Sequence, residues 1–178
     1  MECCAFIAIS IDGFIARANG AIDWLKIVER PGEDYGFGAF YADVDALVMG
    51  RKTYETALGF DAWPYTGKRC VVLTHRPATS RHGEGFFAGP PEELVAKLAR
   101  EGVKRAYVDG GAVIRLFLQA GLLDSLTLSL IPVLLGEGVP LFGETGPDVA
   151  MELVSSQSFP SGLVQLRYRP LRKVKPNG

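Results

Sequence analysis

Apolar and polar positions along the chain change rhythm twice. Cys4 to Ile9 is a continuous apolar run and reads as a first strand. Ser10 to Ala16 follows as an irregular return, with a turn signal at Ala18-Asn19-Gly20-Ala21. Ile22 to Leu25 is short and mixed, and Glu33 to Ala42 reads as a helix with Glu33 and Asp34 in its first turn. Ala46 to Met49 is a short buried strand, and Gly50 to Thr56 opens the next helix. Leu58 to Lys68 is a loop, Arg69 to Leu73 a strand, and Thr74-His75-Arg76-Pro77 closes it, because proline cannot donate to a ladder. A short strand is expected near Gly85-Phe86-Phe87. Pro91 then starts a helix whose stripe is Leu94, Val95 and Leu98, running to about Glu101.

Ala106 to Ile114 organises the rest. Tyr107 and Val108 read as a strand covered on both faces. Gly110-Gly111 make a turn, and Val113 and Ile114 recur as Phe117 and Leu118, which is helical spacing. Beyond this point the helices stop. Ser125 to Ile131 alternates, with leucines on one side and Thr127 and Ser129 on the other. Gly136 to Pro140 is a loop. Glu152 to Gln157 and Leu163 to Tyr168 are strands joined by the hairpin signal Ser158 to Gly162. Strand and helix alternating for two thirds of the chain, then strands alone, predict an α/β class: a mixed, mostly parallel sheet with helices on both faces, completed by an antiparallel hairpin. The pattern predicts one domain over residues 1–170, then a basic tail over 171–178 expected to be flexible.

Composition narrows the setting. The chain has 178 residues, 48% hydrophobic and 22% charged, with a net charge of -1. That fits a globular domain and argues against nucleic acid or an anionic membrane as partner. The three cysteines, Cys3, Cys4 and Cys70, are odd in number and lack metal-ligand spacing. They read as buried thiols in a reducing, cytoplasmic setting, and no metal is expected. No apolar run reaches membrane-spanning length.

Candidate chemistry collects at the ends of the parallel strands, where ligands bind open α/β sheets. Gly50, Arg51, Lys52 and Thr53 put positive charge at a helix start, where the dipole disfavours it unless an anion is bound. Thr74, His75 and Arg76 follow another strand. Gly110 and Gly111 allow a ligand to approach the main chain, and the helix that follows offers free N–H groups to a phosphate. The Walker A and Gly-x-Gly-x-x-Gly spacings are absent, so a long anionic ligand such as a dinucleotide would need a different cofactor fold. Asp12-Gly13 reads either as an Asx turn or as a site acid. Asp23 beside Trp24 reads either as the lining of a heterocycle pocket or as core.

Taken together, Ser10-Ile11-Asp12-Gly13-Phe14-Ile15-Ala16, Val48-Met49-Gly50-Arg51-Lys52-Thr53-Tyr54, Val72-Leu73-Thr74, Val108-Asp109-Gly110-Gly111-Ala112 and Ile131 to Phe142 resemble, in order, the dihydrofolate reductase-like superfamily. The branch they resemble is the RibD C-terminal, riboflavin-biosynthesis reductase type. The resemblance implies a three-layer fold that binds NADPH in an extended pose. Gly50, Arg51, Lys52 and Thr53 would hold the adenine-side phosphates, with Thr74, His75 and Arg76 near the 2′-phosphate. Gly110, Gly111, Ala112, Val113 and Ile114 would hold the pyrophosphate and nicotinamide side, around a cis Gly110–Gly111 bond. Ala8, Ile15 and Ala16 would flank the nicotinamide. It also implies a homodimer and hydride transfer to a small pyrimidine- or pterin-like heterocycle of the riboflavin or folate pathways. The chain departs from dihydrofolate reductases at Glu29 to Glu33, where no acid aligns. Asp12 or Asp23 is therefore expected to supply the proton, with Ser10 and Trp24 on the substrate. The alternative is a non-catalytic module that binds or senses a nicotinamide nucleotide; a purely structural domain is the third reading.

Overall fold

The computed structural model describes residues 1–76, 78–143 and 148–171. Pro77 and the basic tail beyond Leu171 lie outside the described residues.

Parallel strands covered on both faces need apolar side chains in both directions, and that is how the central strands are built. The strands are β1 (Glu2–Ser10), β3 (Ala46–Gly50), β4 (Arg69–Leu73), β5 (Gly85–Phe87), β6 (Arg105–Asp109) and β7 (Ser125–Ile131). They run parallel in the order β5-β4-β3-β6-β1-β7. The hairpin of β9 (Met151–Ser158) and β10 (Val164–Pro170) extends the sheet antiparallel beside β7. A separate pair, β2 (Phe14–Ala16) and β8 (Val139–Pro140), closes over the carboxyl end of β1.

Alternate residues of each central strand feed different cores. Ala46, Val48, Ala106 and Val108 pack under α3 (Pro91–Arg100) and α4 (Gly111–Gln119), whose Leu94, Leu98, Ile114 and Phe117 are buried against them. Leu47, Met49, Val72 and Tyr107 face α1 (Phe37–Ala42) and α2 (Arg51–Leu58) through Phe40, Tyr41 and Tyr54. A third, smaller core joins Trp24 and Val28, on a 3₁₀ turn (Asp23–Val28), to Ile131 and Leu163.

Two expectations change. The helix expected from Glu33 begins at Phe37, because Asp34 turns its carboxylate onto the amides of Gly36 and Gly38 at 2.8 and 3.0 Å and Gly36 takes φ +78°. Asp34 thus ends a turn and caps the helix from outside it. Both sides of β7 are buried, Ser125, Thr127 and Ser129 as well as the leucines, and the strand lies between β1 and β10 inside the sheet. The Gly110–Gly111 bond is trans; Gly110, at φ +90° and ψ 136°, turns the chain through a left-handed glycine conformation instead. All three cysteines are free and buried; burial pushes the Cys3 thiol up to about 12 and Cys70 to about 11, which leaves them unreactive.

Candidate active site

The carboxyl ends of β4, β3, β6 and β1 lie side by side and present Thr74, Gly50, Asp109-Gly110 and Ser10 along one edge. Two helices begin there without side-chain caps, α2 after Gly50 and α4 after Gly110. Their first N–H groups have no intrahelical acceptor. The backbones come close: a Cβ on Gly50 would sit 3.1 Å from Val113 Cγ2, one on Gly110 would collide with Thr53 Oγ1, and one on Gly111 would sit 3.0 Å from Ile15 Cδ1. Glycine at these points keeps main chain, not side chain, facing the edge.

Below the edge runs a cleft of about 1040 Å³, lined by Ala8, Ile15, Ala16, Lys52, Thr53 and Gly110 among others. Exposed Ile22, Phe37, Phe60 and Val139 form its lips. The cleft continues past Phe6, Ala8, Leu25 and Phe37 into a second cavity of about 770 Å³. Such an apolar slot with a few polar groups suits a flat ring. The buried Tyr41 hydroxyl in the cleft has no hydrogen-bond partner among the described residues.

Asp109, at the end of β6, is the carboxylate the sequence reading passed over. It lines the cleft beside Gly110, and the Tyr65 hydroxyl donates to its Oδ2 at 3.1 Å. Burial pushes its carboxyl above the usual range, and hydrogen bonds from Tyr65 and Tyr107 only partly offset this. Tyr65 comes from the loop between α2 and β4, pinned by edge contacts of Trp63 with Tyr54 and Tyr65 and by stacking of Trp63 on His82. The available signal was position: a carboxylate at a central strand end, next to Gly-Gly.

The expected acids stand elsewhere. Asp12 takes the Ser10 hydroxyl on Oδ1 at 2.5 Å and the amides of Leu135 and Gly136 at 3.1 and 2.7 Å. The Ser10 hydroxyl, foremost, and these amides hold its carboxyl below the usual range. Asp23 is bound by both arms of Arg17, at 2.7 and 3.0 Å, and is likewise lowered. Neither carboxylate lines the cleft, and both are engaged by other groups of the chain. Ser10 is fully buried and joins the Asp12 clasp, its hydroxyl accepting the Phe14 amide. Trp24 is core, 2% exposed; its neighbour Leu25 lines both cavities.

At the ends of β3 and β4, the Arg51 guanidinium donates to Glu55 at 2.6 Å and to the Arg76 carbonyl at 3.0 Å. This ties the start of α2 to the Thr74–Arg76 turn, which the Thr74 hydroxyl closes by accepting the Arg76 amide. His75 and Arg76 are exposed there. Val113 and Ile114 do not face the cleft: their side chains are core and their amides donate to the Gly110 carbonyl. Ala112 is exposed at the first turn of α4.

The glycine cradle, the two bare helix starts and Lys52, Thr53 and Arg51 beside an apolar slot are the groups an extended nicotinamide dinucleotide requires, and the residues fit it. The match to the RibD C-terminal domain model covers residues 3–165. The chain belongs to that family. It is 34% identical over 166 residues to the uncharacterized protein YwjB of Bacillus subtilis (strain 168), covering 92% of this chain and 94% of that one. A crystal structure of a candidate riboflavin biosynthesis protein from Shewanella sp. PV-4 superposes with a TM-score of 0.91 at 37% identity, covering 97% of this chain and all of the other. At 14% identity and a TM-score of 0.72, the fold is also shared by the Thermotoga maritima diaminohydroxyphosphoribosylaminopyrimidine deaminase/5-amino-6-(5-phosphoribosylamino)uracil reductase; 96% of this chain matches 56% of that one. These neighbours carry the reductase fold of the dihydrofolate reductase type, as the motifs imply. No helix among the described residues is long and apolar enough to cross a membrane.

Proposed function

We propose that this protein is an NADPH-dependent reductase acting on a small pyrimidine- or pterin-like ring, in the cytoplasm and as a homodimer. When bound, the nicotinamide cofactor supplies the hydride. The chain's own residues do the rest. Gly50, Gly110, Gly111 and Ala112 offer backbone amides to the phosphates, and Arg51, Lys52, Thr74 and Arg76 add charge and hydroxyls at the adenine side. Ala8, Ile15 and Ala16 shape the slot for the nicotinamide ring, and the apolar walls exclude water.

The observation that carries this reading is Asp109: a carboxyl with a raised pKa, in a cleft, beside the glycine cradle. In its protonated form, which the raised pKa favours, it gives its proton to the ring atom that becomes electron-rich as the C=N or C=O bond is reduced. The Tyr65 hydroxyl donates to its Oδ2, which leaves Oδ1 to carry the proton. The fold shared with a named aminouracil reductase and the family membership support the reaction class.

The test is titration with NADPH, then a search of pterins, folates and aminopyrimidines for loss of nicotinamide absorbance. Binding with substrate-dependent oxidation is expected. Binding with no oxidation by any ring would leave a nucleotide-binding module, and no binding would end the cofactor reading.

A further inference from the structure

We infer that the second cavity selects an unphosphorylated ring, uncharged or cationic, and discriminates against rings that bear a phosphate. The inference rests on the reductase reading for the identity of the first cleft, and it concerns only the chamber beyond it.

The chamber's walls are apolar and aromatic: Phe6, Val28, Tyr35, Phe37, Ile131 and Leu163. Its one buried polar side chain is Ser129, whose Oγ accepts from Gln165 Nε2 at 3.1 Å. That leaves the hydroxyl proton available to a ring carbonyl or ring nitrogen. The polar rim comes from the segment that leads into α1. It presents the carboxylates of Glu29, Glu33 and Asp34 against a single cation, Arg30.

Arg30 is partly engaged by the chain itself. Its Nη1 is turned onto the carbonyls of Ile27 and Glu29, at 3.3 and 2.7 Å. The other usual anion seat, a helix start, is already filled: the Asp34 carboxylate takes the amides of Gly36 and Gly38, where α1 begins. Glu33 is fixed by the Tyr35 amide at 2.8 Å and stays at the rim. Phosphate recognition uses guanidinium forks or bare amides. Here backbone carbonyls take one arm of the fork and the Asp34 carboxylate takes the amides, while the remaining acids repel a phosphate's nearly two negative charges. A neutral ring loses nothing by this, and an amino substituent gains from it.

The experiment compares matched pairs, aminopyrimidine ribosides and their 5′-phosphates, with 5-amino-6-ribosylaminouracil among them. Affinity is read by calorimetry on both the free and the NADPH-loaded protein. The unphosphorylated member should bind at least about tenfold more tightly. The Glu29→Gln/Glu33→Gln double variant should shrink that gap several-fold, and so should added salt, since the rim is exposed and screened. Ser129→Ala should weaken both members alike. Equal or tighter binding of the phosphates overturns the inference, as does a gap indifferent to both the double variant and salt, or no binding of any riboside at millimolar concentration. Failure of NADPH to bind would instead overturn the reductase reading, and the free-protein arm would still judge the chamber.

Discussion

Thr53 Oγ1 occupies the space that a side chain on Gly110 would need. Two helix starts, separated by more than fifty residues of sequence, therefore meet through a hydroxyl and a bare α-carbon. Gly110→Ala should suffer twice. Its φ of +90° costs an L-residue about 1–2 kcal/mol, and crowding against Thr53 adds roughly 1–3 kcal/mol. Thr53→Ala in the same chain should recover the crowding part and not the backbone part. Denaturant unfolding of the two single variants and the double variant separates them. Additive losses would show that the two residues do not interact.

Asp109→Asn keeps the shape of the site and removes the proton. Turnover on a true substrate should fall about 10²–10⁴-fold while NADPH affinity stays near wild type. Burial raises the Asp109 pKa, so the active, protonated form is lost as pH rises through that raised value. The wild-type rate should show this falling limb at higher pH than an ordinary carboxylate would give, and the variant should lack it. The stability sign agrees: a group whose folded pKa is raised contributes fully below its unfolded pKa and loses that contribution as pH rises through the folded one. At neutral pH, Asp109→Asn should thus unfold at a higher temperature than wild type. A variant with full turnover and an unchanged pH profile would remove Asp109 from the chemistry.

Why Asp109 escaped the sequence reading, while the cradle beside it did not, is a matter of distance along the chain. Gly110-Gly111 announces itself locally, through backbone freedom. The pKa of Asp109 depends on Tyr65, which is 44 residues away, and on burial by a loop with no periodic signal. Asp12 was ambiguous in the opposite sense. Next to Gly13 it is both a turn residue and an acid, and only the fold brings Leu135 and Gly136 to its oxygens. The parallel strands were legible because each is apolar in both directions. The burial of Thr127 and Ser129 was not legible, since only the fold sets β7 inside the sheet and brings Gln165 to Ser129. The edge position of β9 was invisible, since sequence order does not give sheet order.

Glu84 should dominate the acid limb of stability. It is 4% exposed and receives the Tyr54 hydroxyl and the amides of Arg81 and His82. Burial pushes its carboxyl up, but these donors prevail and hold it at about 2. A depressed folded pKa gives stability that is present above the unfolded value and lost as pH falls through the folded one. Up to about 3 kcal/mol should therefore disappear between about pH 4.5 and pH 2. Glu84→Gln should be less stable than wild type at neutral pH and should flatten that interval. Unfolding curves at stepped pH read both effects, and parallel wild-type and variant profiles would contradict them.

Arg51 and Arg76 should decide between NADPH and NADH. β3 and β4 are neighbours, so the residues that follow them converge, and Arg51 already reaches the Arg76 carbonyl. Guanidinium forks match phosphate oxygens, and the 2′-phosphate is the group NADH lacks. Both side chains are partly exposed and Arg51 also pairs with Glu55, so screening and competition trim the effect. Arg51→Ala and Arg76→Ala should each weaken NADPH about 10- to 100-fold and leave NADH almost unchanged. Calorimetric titration of both cofactors reads this directly, and equal wild-type affinity for the two would refute the role.

A homodimer should form through the free edge of the sheet. The apolar loop after β7 offers little surface for this, since Val133 and Leu135 pack into the third core and only Leu134 is left at 69% exposure. The stronger case is β9, the last strand in the sheet order, with Leu153 and Val154 exposed at 52% and 45%. Isolated proteins blunt such edges with charge, proline or brevity. β9 has eight residues and a single charged side chain, Glu152, which pairs with Arg169. A second copy, related by a twofold axis, would satisfy the open backbone groups and cover both apolar side chains. Sedimentation should show a dimer at micromolar concentration. Val154→Lys should raise its dissociation constant at least tenfold, because burying an unpaired ammonium opposes association. A wild-type monomer under those conditions would mean that solvent alone covers the β9 edge.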